Sequence, residues 1–175
     1  MAAYCGICVY QGDQFPAEYQ GRVFMGNIHQ NAINQDRLIP NGSSFKAVAE
    51  KDFLTSGDGW FMPVSEQVGP DGALWIADWC DKYPCYQNAK ANPEGVDREK
   101  GRIWRVCYTG SDEGKKLAGM SRERKDMDLS KKPLTELIKD LGNPNNWMQR
   151  MSLSYCKKHE LADLINASQA LSDQS

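Results

Sequence analysis

Histidine is the scarcest of the chemically useful residues in this chain, with two among 175 positions, so a histidine-rich metal centre is excluded from the start. No apolar run approaches the roughly 20 residues that a membrane-spanning helix needs, and no membrane span is expected. Neither sign of charge dominates: 21 Lys and Arg against 23 Asp and Glu leave a net charge of -2. That balance removes the electrostatic footprint of a nucleic-acid partner or an anionic membrane surface. No basic-then-apolar signal segment follows Met1. There is no phosphate-binding loop, no dinucleotide fingerprint and no paired nucleophile and base. The haem attachment pattern fails too, because Cys5-Gly6-Ile7-Cys8 is followed by Val9 rather than His.

Cysteine, by contrast, is well represented. Six of them, with no thiol chemistry evident around them, suit an oxidising compartment. Paired with the missing export signal, this reads as a piece of a longer exported protein. Hydrophobic residues make up 41%, enough to fill one or two small cores.

Strand patterning dominates residues 1–110. Trp60-Phe61-Met62-Pro63-Val64 enters a strand, and Gly69-Pro70-Asp71-Gly72 makes a tight reversal in which Pro fixes φ and Gly accepts a positive one. Leu74-Trp75-Ile76-Ala77 has no polar face, so both of its sides are expected to be covered, as in radially stacked blades. A long loop leads to Arg102-Ile103-Trp104-Arg105-Val106. The same order of parts occurs earlier, and strands are predicted over residues 6–10, 22–27, 32–39, 44–54, 63–68, 73–79 and 102–108. Two four-stranded antiparallel meanders, each a β-propeller blade, account for them. Two blades cannot close a ring of about 4–8.

Residues 111–132 are a charged connector, and helical periodicity follows over 133–175. Leu134, Leu137, Ile138 and Leu141 recur at helical spacing behind Pro133, predicting a helix over 133–141. Trp147, Met151 and Tyr155 mark a second over 146–157, and Leu161, Leu164 and Ile165 a third. Short helices joined by an Asn/Pro turn are the unit of an α-solenoid.

The motifs Tyr10 to Tyr19, Gly69-Pro70-Asp71-Gly72 with Asp78-Trp79, and Gly101 to Val106 resemble one bacterial family. These are the membrane-bound dehydrogenase-like proteins of planctomycetes and their relatives. The resemblance implies a quinoprotein glucose/sorbosone dehydrogenase-type propeller followed by HEAT-like repeats, in a periplasmic protein. It implies PQQ and Ca²⁺ as cofactors of the parent, and the remaining blades and repeats as partners. The family pattern carries His where Tyr4 stands and Arg where Met62 stands. Losing both basic groups implies that this segment alone neither binds the quinone nor catalyses. Two functions follow: part of an exported sugar or alcohol dehydrogenase, or a non-catalytic propeller-plus-solenoid interaction scaffold.

Blade connectivity predicts a shared end for the candidate residues, since every first-strand start and every second-to-third loop lies at one end of its blade. Tyr4, His29, Trp60, Asp78 and Asp81 should line that ligand face, where a carbohydrate is one fitting ligand. His29 is the candidate base, and Asp78 with Asp81 are the candidate Ca²⁺ ligands, against a competing reading in which they cap the loop backbone. Cys5 is expected to reach the long loop as a disulfide, Cys85 being favoured over Cys80. Cys5 and Cys8, three apart in a strand, should point to opposite faces. Arg98, Arg102 and Arg105 are candidate contacts for an anionic ligand, with Arg102 and Arg105 expected instead in inter-blade ion pairs. Cys8, Cys107 and Cys156 are expected as packing residues.

Overall fold

A computed structural model describes residues 3–83, 90, 91, 93, 97, 99–108 and 128–173. The chain divides into two units. Among the described residues the first holds eight strands: β1 (Tyr4–Val9), β2 (Val23–Asn27), β3 (Ala32–Asn41), β4 (Ser44–Ala49), β5 (Leu54–Thr55), β6 (Pro63–Val68), β7 (Leu74–Asp78) and β8 (Arg102–Val106). They form two antiparallel sheets, one in the order β1-β2-β3-β4 with β5 also on β3, the other β6-β7-β8.

In the first sheet the strand expected over 44–54 is interrupted. Glu50 N donates to Gln35 O at 3.0 Å and Phe53 N to Ile33 O at 2.9 Å, so three steps on this edge match two on β3. The extra residue breaks the ladder and turns Phe53 inward, onto Phe24 at 4.4 Å between ring centroids. β4 and β5 are thus one bulged strand. The second sheet has three strands among the described residues, not the four of the expected meander. Nothing described between β7 and β8 adds a strand.

Each sheet buries one face against the other. Phe24, Gly26, Ile33 and Cys8 lie inward on the first, and Leu74, Ile76 and Glu66 on the second. The expectation that β7 is covered on both sides fails on one of them. Leu74 and Ile76 are fully buried, but Ala77 is exposed and its cross-strand partner Ile103 is 76% exposed. An apolar strand records only that its faces are apolar; covering them takes a second layer.

The second unit comprises Gln11–Phe15, Gly69–Ala73 and Tyr108–Ser175, with helices α1 (Leu134–Lys139), α2 (Asn146–Cys156) and α3 (Leu161–Ser172). Its core is Leu129, Leu137, Met148 and Cys156, with Leu134, Ile138, Trp147, Met151, Tyr155 and Leu164 against it. Leu129 stands inside the span read as a charged connector, on a 3-10 turn capped by Asp128. α1 is shorter than predicted because Asp140–Gly142 tightens into a 3-10 turn, and Lys132 ties Asp140 at 2.7 Å.

The polar centre of this unit is Asn145. Its Oδ1 accepts from Trp147 N at 2.9 Å, capping α2, while its Nδ2 donates to the carbonyls of Gly69 at 3.1 Å and Pro70 at 3.2 Å. The Pro-Asp-Gly reversal therefore packs in this unit, with Gly72 at φ +75° and an added Cβ there only 2.3 Å from Asp13 Oδ1. Sequence spacing identified the turn; it carried no sign of the unit to which the turn belongs.

Candidate functional site

Strand direction puts the start of β1, the loop between β2 and β3, the approach to β6 and the end of β7 at one end of the sheet unit. Tyr4 pairs with Asn27, the last residue of β2. In the loop after β2, Asn31 takes a positive φ of 51° and donates from Nδ2 to Phe61 O at 2.6 Å. Ser56 N returns a bond to Asn31 O at 2.9 Å. Trp79 N, just past β7, donates to Met62 O at 2.9 Å. The predicted convergence of these elements is therefore present.

What they converge on is a carboxylate, Asp78, whose side chain is fully buried. Its Oδ1 accepts from Met62 N at 2.8 Å and Cys80 N at 2.9 Å. Its Oδ2 accepts from Arg102 Nε and Trp104 Nε1, both at 2.7 Å. Arg102 reaches on from Nη1 to Asp58 Oδ2 at 2.6 Å. Trp60 N and Arg102 together hold the Asp58 carboxyl below its ordinary range. Arg102 is pulled down by burial, but the two carboxylates override this and raise it. The guanidinium also stacks on Trp104, 5.1 Å from the ring centroid.

Asp78 is saturated, while Arg102 Nη2 is buried without a hydrogen-bond partner among the described residues. Four donors occupy Asp78, so it has no free lone pair to offer a metal or a substrate proton. Asp81, also buried, accepts from Tyr83 N at 3.3 Å. Both aspartates thus cap the loop backbone, the competing reading of the sequence. Among the described residues no three His, Cys, Asp or Glu side chains gather as a metal site would require. His29 is exposed, its backbone N–H held by Asn27 Oδ1 at 3.3 Å. Tyr4 is 58% exposed and Trp60 half-buried.

Beside the network a groove of about 490 Å³ runs along the uncovered face of the second sheet, over Val64, Ala77 and Ile103 and rimmed by Asp97, Glu99 and Lys100. Trp79, 55% exposed, stands at its edge.

The cysteines need one correction. Cys5 pairs with Gly26 and Cys8 with Phe24, so three steps along β1 match two along β2. The bulge, with Gly6 at φ +67°, returns Cys8 to the face that carries Cys5. The two do not point apart. Cys85 lies outside the described residues, as does Arg98, and no two described cysteines are joined. Burial pushes the Cys8 thiol up to about 11, an inert packing residue as expected.

Two residues escaped sequence reasoning. Asp58 carried no motif, and only its charge beside an aromatic run hinted at a role. Glu66 looked like an outward polar position in a strand, yet it is 4% exposed. Gly6 and Gly26, the spaces that admit it, were the available signal.

Face-to-face antiparallel sheets with a buried carboxylate at one end, and a separate helical unit, define a mainly β architecture with C-terminal helices. The chain belongs to the family of the domain of unknown function DUF7133, whose model matches residues 1–110. That span holds all eight strands and ends before the helices. No curated protein and no solved structure matches the chain.

Proposed function

We propose that the sheet unit is a pair of neighbouring propeller blades in a larger, exported, quinoprotein-like sugar or alcohol dehydrogenase, serving it as framework and not as catalytic centre. One observation carries the reading: the two sheets stack through one face each and leave apolar outer faces open. On the first, Tyr4, Ile7 and Val9 are 58%, 73% and 42% exposed; on the second, Ile103 is 76% exposed beside Ala77. Further blades stacked on both sides would cover them.

The residues here do not fit the quinone cofactor. Its carboxylates call for free basic groups, and Met62 is buried while Arg102 is committed to Asp58 and Asp78. No step is therefore routed through it. The alternative, an interaction scaffold, is favoured by α3, which has no buried residue and exposes Leu161 at 72% and Ile165 at 49%.

Sedimentation of the purified chain tests the framework reading. Self-association through the open faces is the expected result; a cooperatively unfolding monomer at all concentrations sinks it. Titration with quinone and Ca²⁺ should show no binding, and dye-linked oxidation of sugars by this chain alone should be absent.

A further inference from the structure

Glu66 lies in the seam between the two sheets, on the face of β6 that meets β1 and β2. Its side chain is the one buried carboxylate of this unit with neither oxygen hydrogen-bonded to any described residue. The space it occupies exists only because two neighbours are glycines. A Cβ on Gly6 would fall 2.2 Å from Glu66 Oε2, and one on Gly26 2.5 Å from Oε1. The same point above Gly26 is 2.6 Å from the Pro63 carbonyl oxygen and 2.7 Å from that of Cys5. Both backbone oxygens and the carboxylate crowd the open face of Gly26, and a negative carboxylate buried without donors is costly where a neutral carboxyl is far less so.

No cation is placed to compensate. β2 carries no ionisable side chain, and Cys5 and Cys8 on this face of β1 are thiols, Glu66 opposing the ionisation of Cys8. On β7 the cross-strand neighbour is Ile76, and on β8 Trp104. Arg102 shares this face, but Asp78 and Asp58 hold it.

We infer that Glu66 is a proton-operated latch: as the neutral acid it closes the seam between the sheets, and on losing its proton it opens the seam to water. Burial pushes its carboxyl up from 4.5 to about 7, placing the change in the neutral range. The sign follows. The closed form holds the proton more tightly than the open one, so closure is complete at acid pH and weakens as pH rises through 4.5 towards 7. Taking those two midpoints, the equilibrium constant for opening rises roughly 70-fold between pH 5 and pH 8.

Amide hydrogen exchange on the full chain, corrected for intrinsic rates, reads this directly. Exchange from β1, β2 and β6 should accelerate by that factor, while α1 and α2 stay flat. Glu66→Gln, a permanently neutral isostere, should abolish the acceleration. An unchanged slope in that variant, or a uniform rise across both units, overturns the latch. Should the variant not fold, the wild-type Glu66 carboxyl carbon followed by NMR decides: a midpoint near 7 that tracks the seam exchange supports the latch, and one near 4.5 refutes it.

Discussion

The two units of this chain are held together by different chemistry. The helical unit buries Leu129, Leu137, Met148 and Cys156, with Asn145 as a polar pin and one buried carboxylate, Asp71, that accepts from Ala73 N at 3.2 Å. The sheet unit buries aromatic and aliphatic side chains too, but also the carboxylates of Glu66, Asp78 and Asp81. Two of those three have donors and the third has none. Apolar packing is graded and tolerant, whereas a buried charge is either fully satisfied or costly. The sheet unit should therefore be the more sensitive to single polar substitutions and to pH, and the helical unit to volume.

The largest break in that contrast is expected at Asp78. Asp78→Ala leaves the Arg102 guanidinium facing Asp58 alone and frees the Met62 and Cys80 amides, a loss of about 3–5 kcal/mol. Urea unfolding followed by Trp fluorescence would register it, and a loss below about 1 kcal/mol would refute the hub described above. Next comes Gly26→Ala, which forces a methyl against two carbonyls and a carboxylate, at a cost of about 1–3 kcal/mol. Gly59→Ala, with nothing within 4 Å, is the control and should be close to neutral.

In the helical unit, Asn145→Ala removes the α2 cap and two bonds to the Gly69–Pro70 reversal, for about 1–2 kcal/mol. Its mark should fall on exchange of the first-turn amides of α2. The smallest effect concerns Glu50, which Arg37 and Arg22 hold below the ordinary carboxylate range. Its sign is opposite to that of Glu66. The stabilisation is present above pH 4.5 and lost as pH falls through the lower folded midpoint. Comparing Glu50→Gln with wild type in melts from pH 6 to pH 3 should show a small difference that vanishes at the acid end. Equal sensitivity of the two variants, Glu50→Gln and Glu66→Gln, on the same side of neutrality would erase the distinction drawn here.

The strands and helices were legible because their patterns are local. Leu134, Leu137 and Ile138 announce one helix face, and the turn after Asn41 announces a hairpin whose Gly42 indeed takes φ +63°. The shared end of Tyr4, the loop at His29 and Asp78 was legible from connectivity alone, since alternating strand direction leaves no other choice. The bulge at Gly6 was not. One extra residue in β1 reversed the predicted facing of Cys5 and Cys8, because side-chain direction has a period of two and a single insertion inverts it.

Residue order, then, determined where this chain turns, which segments are extended, which are helical and which loops meet, because each follows from backbone preference or from strand alternation. Tertiary structure alone decided what the charges do. Asp78 became a saturated structural hub because Met62, Cys80, Arg102 and Trp104, up to 26 residues away in sequence, bring four donors to one carboxylate. Glu66 became an unpaired acid because β1 and β2 closed over it at two glycines. Electrostatic environment is the sum over neighbours in space, and neither neighbour set is contiguous in the chain.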